Sequence, residues 1–195
     1  MNSNQKKPAF DIPERLFHSV HIMNIFLLFL SGIQIHAANI NIFGAMHNAI
    51  TLHYFCAWLF FFLGVWHFYR FFALGKYHTS LPSPLKRSEH LLYSLKYYLF
   101  LESEEPVESG GKGYNEMQKL GYSGVFALGF FQFLTGIILY WPVTMLRIGA
   151  LFGGLQWIRY IHYLVSWAFV IFVMIHLYLI FSKGTKLLLR MLAGK

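Results

Sequence analysis

Four stretches of the chain are long apolar runs broken by very few charges: about residues 17–38, 47–72, 120–142 and 157–181. Each is long enough to cross the hydrocarbon core of a bilayer as a helix, which takes roughly 20 residues. Short links join the first run to the second and the third to the fourth. The link between the second and third, about residues 73–119, is hydrophilic. It carries Lys76, Lys86, Arg87, Glu102, Glu104, Glu105 and Glu108, then Gly110-Gly111-Lys112-Gly113. Within it, Leu91–Leu99 has apolar residues at helical spacing. Such a stretch either lies on the membrane surface or packs on the ends of the spans. The predicted fold is an all-α integral membrane protein, a four-transmembrane-helix bundle forming one domain over residues 1–195. Its long loop is expected to carry an interfacial helix.

Two of the runs repeat each other. Residues 53–72 and 162–181 share His53/His162, Tyr54/Tyr163, Trp58/Trp167, Phe60/Phe169, His67/His176, Tyr69/Tyr178 and Phe72/Phe181. A shorter echo precedes each copy: Phe29-Leu30-Ser31-Gly32-Ile33 resembles Phe133-Leu134-Thr135-Gly136-Ile137. A self-similarity of this kind marks a duplicated structural unit. The two histidines of each copy are 14 residues apart. At about 100° per residue they leave the same helix face, about 21 Å apart along the axis. One histidine of each pair is therefore expected near the outer surface and one near the inner.

Histidines in apolar spans are costly unless they have a role. The bland alternative is a set of hydrogen-bonded core histidines or lipid-facing aromatics, but a duplicated pair at fixed spacing argues for ligands. Imidazole nitrogen is an axial ligand of haem iron, and helix bundles build such sites between facing helices. Two facing copies would hold two cofactors stacked across the membrane. Gly32, Gly64 and Gly136 would let a flat macrocycle approach the backbone. The first run adds His18 and His21, one turn apart at its inner end, and either could reach a cofactor there. His36, His47, His78 and His90 read as solvated surface residues. Tyr69 and Tyr178 suit membrane interfaces.

Composition narrows the class. Of 195 residues, 56% are hydrophobic and only 12% charged, and a soluble domain carries roughly twice that charge. The formal net charge of +8 reports loops facing the cytoplasm rather than a nucleic-acid partner. Of the 16 lysines and arginines, all but Arg147 and Arg159 fall in the N-terminal segment, the long loop with Arg70 at its edge, or the C-terminal tail. With four spans these segments share one side, so the positive-inside rule places both termini in the cytoplasm. Asp11, Glu14 and Arg15 within the first 20 residues, with no small-residue cleavage site, argue against a cleavable signal peptide. Cys56 is the only cysteine, so covalent haem attachment, iron–sulfur ligation and a disulfide framework are excluded.

The order of several segments resembles a known family. They are Arg15-x-x-His18 opening the first run, Leu52-His53, Tyr114-Asn115-x-x-Gln118 before the third run, Leu134-Thr135-Gly136, and the His162/His176 pair. Together they look like the membrane-bound dihaem cytochrome b subunit of respiratory nickel–iron hydrogenases and formate dehydrogenases. Lys96-Tyr97-Tyr98-Leu99-Phe100-Leu101 is similar to the hydrogenase branch. Tyr114-Asn115-Glu116-Met117-Gln118-Lys119 and Trp141-Pro142 are similar to the formate branch.

The resemblance implies two non-covalent b-type haems, the outer one on His53 and His162 and the inner one on His18 and His176. It also implies a quinone site beside the inner haem, near Asn115 and Gln118. Electrons would arrive from an extracytoplasmic iron–sulfur subunit and its catalytic dehydrogenase and reduce menaquinone at the cytoplasmic membrane. The chain would have no substrate chemistry of its own. The internal repeat instead nominates His67 as the partner of His176. Weighing the two, the reading takes His18 as the ligand and leaves His67 beside a propionate or the quinone, with His21 a third choice. Two other functions stay open at this point: a quinol-oxidising cytochrome b module that feeds a reductase, and a non-redox transporter or assembly protein with structural histidines.

Overall fold

A computed structural model describes residues 12–75, 87–104 and 116–182, together with residues 188, 189 and 191. The described residues form helices α1 (Ile12–His36), α2 (Met46–Ala73), α3 (Arg87–Tyr98), α4 (Glu116–Tyr140), α5 (Leu146–Leu151) and α6 (Leu155–Ser182). Four of them, α1, α2, α4 and α6, are long and apolar enough to cross a membrane. Large side chains such as Phe55, Phe62, Phe130, Ile171 and Met174 stay exposed on them. Water would penalise that exposure, whereas hydrocarbon does not.

The helix ends follow local chemistry. α1 begins before residue 17, at Ile12. Pro13 and Glu14 fill its first turn, where a missing N–H costs nothing and a carboxylate meets the positive end of the helix dipole. α4 stops at Tyr140 rather than 142, because Pro142 disfavours helical backbone at Trp141. The following link is not a plain turn. It contains α5, closed by Gly153 (φ 85°) and Gly154 (φ 94°), both left-handed. In the long loop, α3 starts earlier than Leu91 and ends at Tyr98, followed by Phe100, whose φ is 60°. The Leu101 N–H donates to the Lys96 carbonyl at 2.9 Å and the Phe100 N–H to Tyr97 at 3.0 Å. This is a Schellman cap with phenylalanine in glycine's usual place. Ser94 and Tyr98, one turn apart, are buried, and α3 packs on α4. Leu92, Leu95 and Leu99 remain exposed.

The chain divides into two compact units. The first comprises Met1–Leu63 and Ile175–Lys195. In it α1 and α2 are tied by polar contacts inside an apolar surround. Asn24 is buried and donates its Nδ2 to the Cys56 carbonyl at 3.0 Å. Gln34, only 2% exposed, latches the loop between the two helices. Its Nε2 donates to the Gly44 carbonyl at 2.8 Å, and its Oε1 accepts from the N–H groups of Ile42 (3.1 Å) and Phe43 (2.8 Å). Gly44, with φ 76°, supplies the left-handed turn this needs. Arg15 Nε donates to the Met191 carbonyl at 3.2 Å, joining the start of α1 to the C-terminal segment.

The second unit is Gly64–Met174. It holds the end of α2, all of α3, α4 and α5, and most of α6. α5 packs on α4. At the α5–α6 link, Gly149 is buried between Ile138 and Leu155.

Candidate functional site

Within the first unit, His18 of α1 and His176 of α6 face each other, with ring centroids 6.4 Å apart and planes inclined at 54°. His18 is half-buried, His176 exposed. His18 Nδ1 is a buried polar atom with no hydrogen-bond partner among the described residues, a condition that native structures avoid unless something else satisfies the group. Two imidazoles bound to one metal from opposite sides, with metal–nitrogen bonds of about 2 Å, have centroids roughly 6 Å apart. The donor set and the spacing therefore fit bis-histidine ligation of a haem iron. His21, one turn further along α1, turns elsewhere. Its ring lies 5.6 Å from Phe17 and 5.8 Å from Phe60.

His67 belongs to the second unit. Its Nε2 lies 2.5 Å from the Tyr122 hydroxyl, and its ring packs 5.2 Å from Phe126. Phe71 stacks on Tyr122 at 6.0 Å and completes an aromatic surround.

The remaining two histidines of the repeat have matching surroundings, one in each unit. In the first unit, Ser31 Oγ lies 2.9 Å from His53 Nδ1. In the second, Thr135 Oγ1 lies 2.8 Å from His162 Nδ1. Each hydroxyl also reaches backbone carbonyls of its own helix: Ser31 those of Leu27 (2.6 Å) and Leu28 (3.1 Å), Thr135 those of Phe131 (3.0 Å) and Gln132 (3.0 Å). The next residue along is a glycine in both cases. A Cβ at Gly32 would touch His53 Cε1 at 3.5 Å, and one at Gly136 would touch His162 Cε1 at 3.4 Å. The bare backbone thus carries the edge of each imidazole. Among the described residues nothing lies within 4 Å of that position at Gly64. His162 Nε2 meets Gln132 Nε2 at 3.1 Å.

Asn115 lies outside the described residues. Gln118, half-buried, and Lys119, buried, occupy the first turn of α4. His36, His47 and His90 are exposed; His78 lies outside the described residues. Sequence reasoning passed over Ser31, Thr135, Gln132 and Tyr122 as partners of the histidines. The signal for the first two was the echoed Ser/Thr-Gly step, read earlier only for its glycines.

A search of curated proteins returns no match. The family model for prokaryotic cytochrome b561 matches residues 9–194, nearly the whole chain. With four membrane-crossing helices and an opposed pair of histidines, the chain belongs to the prokaryotic cytochrome b561 family, multi-pass membrane proteins that bind b-type haem and transfer electrons.

Proposed function

We propose that this chain is the membrane anchor and electron-transfer subunit of a quinone-reducing complex, and that it holds two b haems. One would be held by His18 and His176 and the other by His53 and His162. The observation that carries the reading is the apposition of His18 and His176 at 6.4 Å. The like surroundings of His53 and His162 support giving those two residues one shared task. His67, hydrogen-bonded to Tyr122, is left outside the ligand set.

Haem supplies one-electron redox chemistry, which joins a two-electron donor to a quinone. The chain's own residues bind and orient. In this reading an extracytoplasmic iron–sulfur subunit, with a hydrogenase or formate dehydrogenase behind it, docks near the His53/His162 end. The distribution of basic residues supports cytoplasmic termini. Menaquinone would then bind on the cytoplasmic side near Asn115 and Gln118, whose amides can donate to a quinone carbonyl. Protons taken up there, with electrons entering from outside, would build membrane potential.

The test is purification from native membranes under mild detergent. Two bis-histidine b haems per chain, co-purifying with an iron–sulfur subunit and reducible by hydrogen or formate, are expected. A single haem, or reduction by quinol alone, would overturn the proposal.

A further inference from the structure

We propose that Ser31 and Thr135 are matched positioning residues: each hydroxyl locks its histidine, His53 or His162, in the tautomer that carries hydrogen on Nδ1 and a lone pair on Nε2. The proposal rests on the reading of His53 and His162 as haem ligands.

The argument is a count of protons. A hydroxyl has one hydrogen to donate and two lone pairs to accept with. A backbone carbonyl can only accept. Ser31 Oγ lies 2.6 Å from the Leu27 carbonyl and 3.1 Å from that of Leu28, so its hydrogen is committed to the helix. The same oxygen is 2.9 Å from His53 Nδ1 and has only lone pairs to offer it. His53 Nδ1 must therefore carry the hydrogen. In a neutral imidazole Nε2 is then bare, which is the state a metal ligand needs.

Thr135 repeats the logic. Its hydroxyl is shared between the Phe131 and Gln132 carbonyls at 3.0 Å each, and its oxygen stands 2.8 Å from His162 Nδ1. The Gln132 amide lies 3.1 Å from His162 Nε2 and would have to turn aside for that nitrogen to hold iron. Serine and threonine often bond back to their own helix in membranes. That the same oxygen meets an imidazole nitrogen in both copies, beside a glycine each time, assigns it a second task.

The lock has an electronic consequence. A ligating histidine that donates its other N–H becomes a more basic ligand. A hydroxyl already donating to a carbonyl is polarised and accepts more strongly. Greater basicity favours ferric over ferrous iron, so both hydroxyls hold the reduction potential of the shared haem down.

The test is an optical redox titration of the purified holoprotein. Ser31→Ala and Thr135→Val should keep both haems but raise the potential of the one assigned to His53 and His162. At the wild-type midpoint the ferrous-to-ferric ratio should rise several-fold, up to about tenfold, or 59 mV for a one-electron couple. Ser31→Thr and Thr135→Ser should restore the wild-type value, and the second haem should not move. Unmoved potentials in both Ser31→Ala and Thr135→Val overturn the lock. If Ser31→Ala loses the haem outright, haem content in Ser31→Thr against Ser31→Val decides. Retention with the hydroxyl alone supports the lock, and equal outcomes overturn it. His53→Ala separates this from the underlying reading. Two bis-histidine haems surviving there sink the ligand assignment and the lock together; haem loss there with unmoved potentials elsewhere sinks the lock alone.

Discussion

His18 and His176 stand 6.4 Å apart, centroid to centroid, in the unit formed by α1, most of α2 and the last turns of α6. The other histidine that competes for the same role, His67, lies in the other unit and is engaged by Tyr122. The distinction sets the first expectation. His18→Ala and His176→Ala should each lose one haem of the two, read as the pyridine haemochrome per polypeptide. His67→Ala should retain both. Loss of a haem in His67→Ala with full content in His18→Ala would reverse the assignment.

A second expectation concerns the pair with matched hydroxyl partners. His53→Ala and His162→Ala should remove the same haem, leaving indistinguishable residual spectra. If the two variants leave different haems behind, the two histidines do not share an iron.

The loop between α1 and α2 hangs on one buried amide. Gln34→Leu keeps the volume and removes three hydrogen bonds, each worth about 1 kcal/mol net. A loss of about 2–4 kcal/mol is expected in a detergent unfolding titration, because the N–H groups of Ile42 and Phe43 are left with no acceptor from Gln34. A change within about 0.5 kcal/mol, the range of an ordinary surface substitution, would mean the loop is held some other way.

The proposed quinone site predicts a kinetic split. Asn115→Ala or Gln118→Ala should leave both haems reducible by the partner yet slow their reoxidation by added menaquinone analogue about tenfold or more, the loss of one good hydrogen bond to a charged or developing anion. Stopped-flow reoxidation at unchanged haem content makes the measurement, and unchanged rates in both variants would move the site.

Orientation is checked separately. A cysteine introduced at Lys195, with Cys56 replaced by serine, should resist an impermeant maleimide in intact cells and react in inverted vesicles. The opposite pattern would place the C-terminus outside.

What the sequence made legible was what periodic hydrophobicity encodes. The four long helices were plain because each must match a membrane's thickness. α5 was not, since a helix of six residues shows less than two turns of any period. The end of α3 was hidden because Phe100 holds a conformation that sequence associates with glycine. At the site, the duplicated histidines stood out as residues out of place in an apolar run. Ser31 and Thr135 did not stand out, because a hydroxyl in a membrane helix is already satisfied by its own backbone. Only the packing of one helix on the next gives its oxygen a second neighbour. The choice between His18 and His67 was likewise beyond helix geometry, which fixes where residues lie along one helix but not which neighbour each one meets.

The latch at Gln34 has a bearing on how the protein is made. Its bonds, like those of Asn24 to Cys56 and Ser31 to His53, join residues close together in the chain. Contacts of short sequence separation form early and cheaply. The first hairpin can therefore close, with the His53 ring already seated, while the ribosome is still adding the C-terminal half. His18 must wait for a partner nearly the whole length of the chain away, and Arg15 waits longer still for the carbonyl of Met191. Assembly thus has a built-in order, in which the pairing of the first histidine with the last is among the final events of biogenesis.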